Sequence, residues 1–212
     1  MLVAPSMLAA DFLHLEKDVE MVDKYADIFH LDIMDGTLVP NISYGFPIVD
    51  AIASKATKPL DAHLMIVNPE KYVERFAKSG ISMLSFHLEA SSDPDSVLAL
   101  IRANGMKAGL AFNPDMPVEQ SFPHLHNCDF VLVMSVFAGF GGQKFIDETY
   151  ERVRKVKKYI VENNLDCMIE VDGGVSSKNA ALLAEAGVDI AVAGSAVFKS
   201  LDPQREIAAI RC

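Results

Sequence analysis

The chain has 212 residues, half of them hydrophobic and 23% charged, and carries a formal net charge of −10. That length suits one well-buried domain, and the acidic balance excludes a nucleic acid partner, whose phosphates demand a basic face. No apolar run approaches the roughly 18 residues of a membrane span, and no basic stretch opens the N-terminus as a secretory signal would, so a cytoplasmic protein with no membrane partner is expected.

Short apolar runs alternate with amphipathic helical patterns at a spacing of about 26 residues. The first run ends at Ser6 and the second, in HLDIMDG, at Asp32. Side chains alternate along a strand, so His30, Asp32 and Met34 share one face. The third run ends at His63, with Asp61 and Met65 in the same parity. Asn68-Pro69 then sets a capping side chain before a proline at the first helical position, and Asp93-Pro94 repeats this after a fourth strand ending at His87. Further strand ends fall at Phe112, Met134, Asp172 and Gly194. The longest gap, 38 residues between Met134 and Asp172, holds SVFAGFGGQKFIDET and a helix predicted over Tyr150–Val161. Glu170 shares the parity of Asp172, and Ser176 precedes a helix that Gly187 closes. Eight such units, with no residues left for a second domain, predict an α/β fold: a single (β/α)8 TIM barrel over residues 1–212. A doubly wound open sheet is the alternative, but it usually has fewer strands and would not set polar residues on so many strand ends.

In a barrel the C-terminal strand ends face one common site. His30, Asp32, His63 and Asp172 offer two imidazoles and two carboxylates there, a donor set for one divalent metal ion: Zn, Fe(II), Mn or Co. Three turns, Gly139-Phe140-Gly141-Gly142, Gly173-Gly174 and Gly194-Ser195, expose backbone N–H groups suited to a phosphate. Taken singly each feature has an ordinary explanation. A buried histidine is often satisfied by hydrogen bonds, glycine is common in any turn, and Met34, Met65 and Met134 could be core filler. Together they argue for a site, since a buried uncompensated carboxylate pair is costly. The methionines then form an apolar collar around the ion. His14, His124 and His126 fall in helix or loop contexts, and His87 is left outside the ligand set, at most behind it. Cys128, Cys167 and Cys212 form no CxxC pair and read as reduced thiols. A metal beside a phosphate cradle points to proton chemistry on a phosphorylated sugar, which needs no organic cofactor.

PSMLAADF, HLDIMDG, VPNISYGFP, DAHLM, HLEA, GLAFNP, VLVMSV, GFGGQKFI, EVDGG and AGSAVF occur in this order. Over essentially the whole chain they resemble the ribulose-phosphate 3-epimerase family. The resemblance implies a metal-dependent isomerase of the pentose phosphate pathway that interconverts D-ribulose 5-phosphate and D-xylulose 5-phosphate. It assigns His30, Asp32, His63 and Asp172 as ligands, Asp32 and Asp172 also as the acid/base pair, and Ser6 and His63 as substrate contacts. Two carboxylates on opposite faces of C3 would invert it through a metal-stabilised enediolate. A homo-oligomer is expected.

One departure is visible: the family usually carries Asn-Pro before GFGG, where this chain has Phe137-Ala138. Losing proline is expected to loosen the loop over Ser135–Lys144, which would close on bound substrate. Three rivals stand beside this reading. An epimerase of D-allulose 6-phosphate asks only one more carbon of the pocket. A decarboxylase with an Asp-x-Lys-x-x-Asp array would need lysine where Met34 stands. A non-catalytic phosphosugar-binding barrel would not need both Asp32 and Asp172.

Overall fold

The computed structural model describes residues 1–212. Its eight strands are β1 (Leu2–Pro5), β2 (Phe29–Met34), β3 (Leu60–Met65), β4 (Met83–His87), β5 (Lys107–Phe112), β6 (Phe130–Met134), β7 (Met168–Asp172) and β8 (Ile190–Ala193). All pair in parallel in the order β1-β8-β7-β6-β5-β4-β3-β2. The circle closes between β2 and β1 through a single parallel bridge, Ser6 to His30, below which the Val3 carbonyl accepts from Asp27 and Ile28. The TIM barrel is therefore nearly, but not uniformly, closed. The helices are α1 (Leu15–Tyr25), α2 (Phe46–Ala53), α3 (Val73–Lys78), α4 (Pro94–Ala103), α5 (Thr149–Glu162), α6 (Ala180–Ala186), α7 (Ser195–Phe198) and α8 (Pro203–Ile210).

Strand parity divides the core in two. Outward residues such as Leu31, Ile33, Leu64, Leu84, Val131 and Ile169 are buried against apolar helix stripes, among them Val97, Leu98 and Ile101 of α4 and Val153, Val156 and Ile160 of α5. Inward residues at the lower end form an apolar plug of Ala4, Ile28, Met83, Phe130, Ile190 and Val192. Phe130 fills the barrel only because its neighbour on β5 is glycine: a Cβ on Gly109 would lie 2.3 Å from the ring. Above the plug the interior turns polar, with His30, Asp61 and Glu170 fully buried. This polar layer carries the site on a rigid apolar base.

Helix starts follow the expected chemistry unevenly. The Asp93 carboxylate accepts from the Ser96 N–H at the head of α4, and α5 covers the predicted Tyr150–Val161. Asn68 does not cap an α-helix. It sits at φ 52°, makes no capping bond, and leads into a 3-10 turn over Pro69–Lys71, with α3 beginning only at Val73. Ser176 precedes α6 by a turn, and its N–H donates to Asn179 Oδ1. The crossover after β5 contains two 3-10 segments, Val118–Gln120 and Phe122–Asn127, in place of a helix. Pro114, Pro117 and Pro123 withhold N–H donors there and break the helical ladder. The three cysteines form no disulfide.

Candidate active site

The register of β2 on β3 sets Asp32 directly beside His63 and Met34 beside Met65, while β6 and β7 pair Met134 with Asp172. One ligand atom from each of His30, Asp32, His63 and Asp172 lies within 4.8 Å of every other. Asp32 is the hub. Its Oδ2 accepts from the Ser6 hydroxyl at 2.5 Å, and its Oδ1 lies 3.3 Å from His63 Nδ1 and 3.4 Å from His30 Nε2. His30 turns its other nitrogen, Nδ1, to Asp61 Oδ2 at 2.6 Å. That bond directs Nε2 into the cluster, where it is buried without a hydrogen-bond partner. An orphaned imidazole nitrogen facing a carboxylate fits a cation between them. The four residues thus form a possible metal-binding cluster.

The two carboxylates of the cluster, Asp32 and Asp172, reach the floor of a cavity of about 400 Å3. Ser6, Asp32, Asp172, Met34, Met65 and Met134 line it, together with Gly139, Phe140, Gly141, Gly142, Gly173, Gly194 and Ser195. His30 and His63 lie beneath this floor, each fully buried. Gly174 is not on the lining: at φ +63° it packs against the base of the β6 loop, where an added Cβ would lie 2.6 Å from the Phe145 nitrogen. The N–H groups of Gly141, Gly142, Gly174, Gly194 and Ser195 donate to no backbone carbonyl. Several lining residues carried no legible signal in the sequence, among them Leu8, Asn41, Gln143 and Lys199, the last being the one basic side chain on the wall.

The β6 loop is held by side chains. Asn41 Nδ2 donates to the Gly139 carbonyl at 2.7 Å, and Gln143 Nε2 donates to the carbonyls of Phe137 and Phe140. Ala138 donates its N–H to Asn113 Oδ1 at 3.0 Å, a bond that proline could not make. The expectation that losing proline merely loosens this loop is therefore incomplete, because the substitution also supplies a tether.

Burial and charge separate the carboxyl groups. Burial alone would raise Asp32, but the positive potential of His30, and after it of His63, outweighs burial and holds Asp32 far below the usual range. Burial pushes Asp172 up to about 7, with the Asp32 charge adding to the rise. Burial and the Asp61 charge raise Glu170 to about 8. Burial lowers His63 to about 4, against the pull of Asp32, whereas the Asp32 and Asp61 charges overcome burial and hold His30 well above its ordinary 6.5.

A pH dependence follows. Glu170, Asp172 and His30 keep their protons to higher pH in the folded than in the unfolded chain, so the stability they contribute at low pH is lost as pH rises through their folded values. His63 acts in the opposite sense, but only below its ordinary 6.5. Stripped of divalent ions, the protein is expected to lose roughly 3–8 °C of melting temperature between about pH 6.5 and 8. Added divalent metal should protect more strongly as pH rises, because it requires deprotonated ligands. Calorimetry with and without chelator checks both slopes, and a flat profile for the stripped protein would mean that these groups titrate normally.

Comparison with known proteins finds relatives over nearly the whole chain. Residues 2–198 match the model of the ribulose-phosphate 3 epimerase family. The ribulose-phosphate 3-epimerase of Synechocystis sp. is 47% identical over 212 residues, covering 99% of this chain and 92% of its own. That of Bacillus subtilis is 44% identical over 211 residues, covering 99% and 97%. The solved structure of KGPDC from Streptococcus mutans shares the fold, with a TM-score of 0.72 at 13% identity, covering 99% of this chain and 95% of that one.

Proposed function

The chain belongs to the ribulose-phosphate 3-epimerase family, and on that premise we propose that it interconverts D-ribulose 5-phosphate and D-xylulose 5-phosphate in the pentose phosphate pathway, with Asp32 and Asp172 moving the C3 proton. The observation that carries this reading is the placement of two carboxyls, Asp32 and Asp172, in one four-residue cluster and on the wall of one cavity, with the histidines holding Asp32 low and burial raising Asp172. Inversion of a carbon beside a carbonyl needs one base and one acid on opposite faces, and a carboxyl pair with one member ionised and the other protonated supplies both. The ionised carboxylate takes the proton from one face, and the protonated one returns a proton from the other. In the reverse direction their roles exchange.

His30, Asp32, His63 and Asp172 would hold one divalent ion, of the Zn, Fe(II), Mn or Co class. Bound there, it supplies Lewis-acid stabilisation for the negative charge that develops on the substrate oxygens. Ser6, hydrogen-bonded to Asp32 Oδ2, fixes the orientation of that carboxylate and faces the sugar. The methionine collar lowers the local dielectric and so strengthens each charge interaction. On the cavity wall the N–H groups of Gly141, Gly142, Gly194 and Ser195 would receive the phosphate, which sets C3 in register between the carboxylates. The chemistry requires no organic cofactor.

The test is a panel of phosphorylated ketoses assayed with metal-stripped and metal-restored protein. Turnover of the pentulose 5-phosphates that returns with metal is expected. Preferential turnover of a hexulose phosphate such as D-allulose 6-phosphate would reassign the substrate. No turnover of any sugar, despite tight binding, would make the chain a binding barrel.

A further inference from the structure

Four hydrogen bonds lead away from the candidate metal cluster to the loop that covers it. His63 Nε2 meets His87 Nε2 at 2.9 Å, and His87 Nδ1 meets Glu89 Oε1 at 3.2 Å. The same Glu89 oxygen accepts from Asn113 Nδ2 at 2.8 Å, and Asn113 Oδ1 accepts from the Ala138 N–H at 3.0 Å. His87 is completely buried at the end of β4. Asn113 is anchored through its carbonyl, which accepts from Arg152 Nη2 at 2.8 Å.

With both imidazoles neutral, the donors and acceptors in this chain run in one direction. A carboxylate accepts and cannot donate, so both His87 Nδ1 and Asn113 Nδ2 give their protons to Glu89. His87 then has only a lone pair at Nε2, and His63 must donate to it through its own Nε2–H. His63 is left with a bare Nδ1, aimed at Asp32 Oδ1 3.3 Å away. A lone pair facing a carboxylate oxygen is repulsive unless a cation stands between them. At the other end, Asn113 has spent its N–H2 on Glu89 and presents its oxygen to position 138, where proline would offer no donor.

We propose that His87, Glu89 and Asn113 are positioning residues that commit His63 to ligating through Nδ1 and tie that commitment to the β6 loop through the Ala138 N–H, so that holding the ion and holding the loop reinforce each other. The proposal rests on the metal reading above. Coupling of this kind is reciprocal: the factor by which the ion steadies the loop must equal the factor by which the tether strengthens ion binding.

The experiment measures Zn2+ affinity by chelator competition and amide exchange across residues 137–143 in the same samples. In the unaltered chain, saturating Zn2+ is expected to slow loop exchange by ~5-fold or more. His87→Phe should weaken Zn2+ binding by about 10- to 100-fold and, once saturated, show no slowing of the loop. Ala138→Pro removes the last donor and also stiffens the loop with or without metal, so the zinc-dependent part of the slowing should be lost and Zn2+ binding weakened by the same factor. Asn113→Ala, which lies outside the barrel interior, should behave as Ala138→Pro does and carries the test if His87→Phe does not fold. Unchanged Zn2+ affinity in His87→Phe would overturn the commitment of His63. Undiminished zinc-dependent slowing in Ala138→Pro and Asn113→Ala would overturn the coupling. Failure of the unaltered chain to bind Zn2+ would instead overturn the metal reading, and the relay with it.

Discussion

Asp172→Asn is expected to lower kcat by about three orders of magnitude with little change in KM, because an amide keeps the shape of the carboxyl but can neither take nor return a proton. The residue stands half-buried at the end of β7, and its raised protonation range reflects burial and the nearby Asp32 charge. The sharper readout is isotopic. In D2O the unaltered enzyme should place solvent deuterium at C3 of the product, whereas the variant should exchange the C3 proton of one epimer only, the one whose proton faces Asp32. Metal content must be measured alongside, since Asp172 also belongs to the candidate ligand cluster. A metal-replete variant with kcat within tenfold of the parent would remove Asp172 from the proton path. Epimerisation with no solvent label, after correction for internal return, would argue against two exchanging carboxylates altogether.

Gly174→Val should raise KM by at least tenfold and lower the melting temperature in the same protein. A β-branched side chain at φ +63° is strained, and its Cβ would meet the Phe145 nitrogen at 2.6 Å and the Gln143 carbonyl at 3.0 Å. These are backbone atoms at the root of the β6 loop, so the loop must move away from the cavity. The N–H groups of Gly141 and Gly142 then leave the position from which they would grip a phosphate. Kinetics on the substrate and on a dephosphorylated analogue separate the two effects: only the phosphorylated substrate should suffer the KM increase. A variant with parental KM would mean that the loop root does not set the phosphate position.

The parts of this protein that could be read before its structure were those governed by strand alternation. His30, Asp32 and Met34 on one strand and Asp61, His63 and Met65 on the next had to share a face, and β2 pairs with β3 residue by residue in that register. Asp61 and Glu170 were visible by the same parity, yet their role behind His30 was not, because alternation says which way a side chain points but not what it meets. The 3-10 crossover after β5 escaped for a local reason: its prolines compete with the apolar spacing that suggests a helix. Asn68 escaped because asparagine before proline has two uses, a cap or a left-handed turn, and only the backbone angle decides between them. Along the relay His87 lies 24 residues from His63, Asn113 24 from Glu89, and Ala138 25 from Asn113. Each step spans about one strand–helix unit, but that repeat places the strands side by side without saying which of their side chains meet.

The thin join between β1 and β2 gives Ser6 a second duty. Every other pair of neighbouring strands shares a ladder, but here one bridge and the bonds to the Val3 carbonyl complete the circle. The Ser6 hydroxyl reaches across that join to the Asp32 carboxylate, so a bond belonging to the candidate site also fastens the wall of the vessel. Strand separation would begin most readily at this seam, and anything that engages Asp32 would act as a clasp. Occupying the site should therefore stiffen the whole circumference of the barrel, and damage to Ser6 should be felt as slackness in the hoop before it is felt in the chemistry.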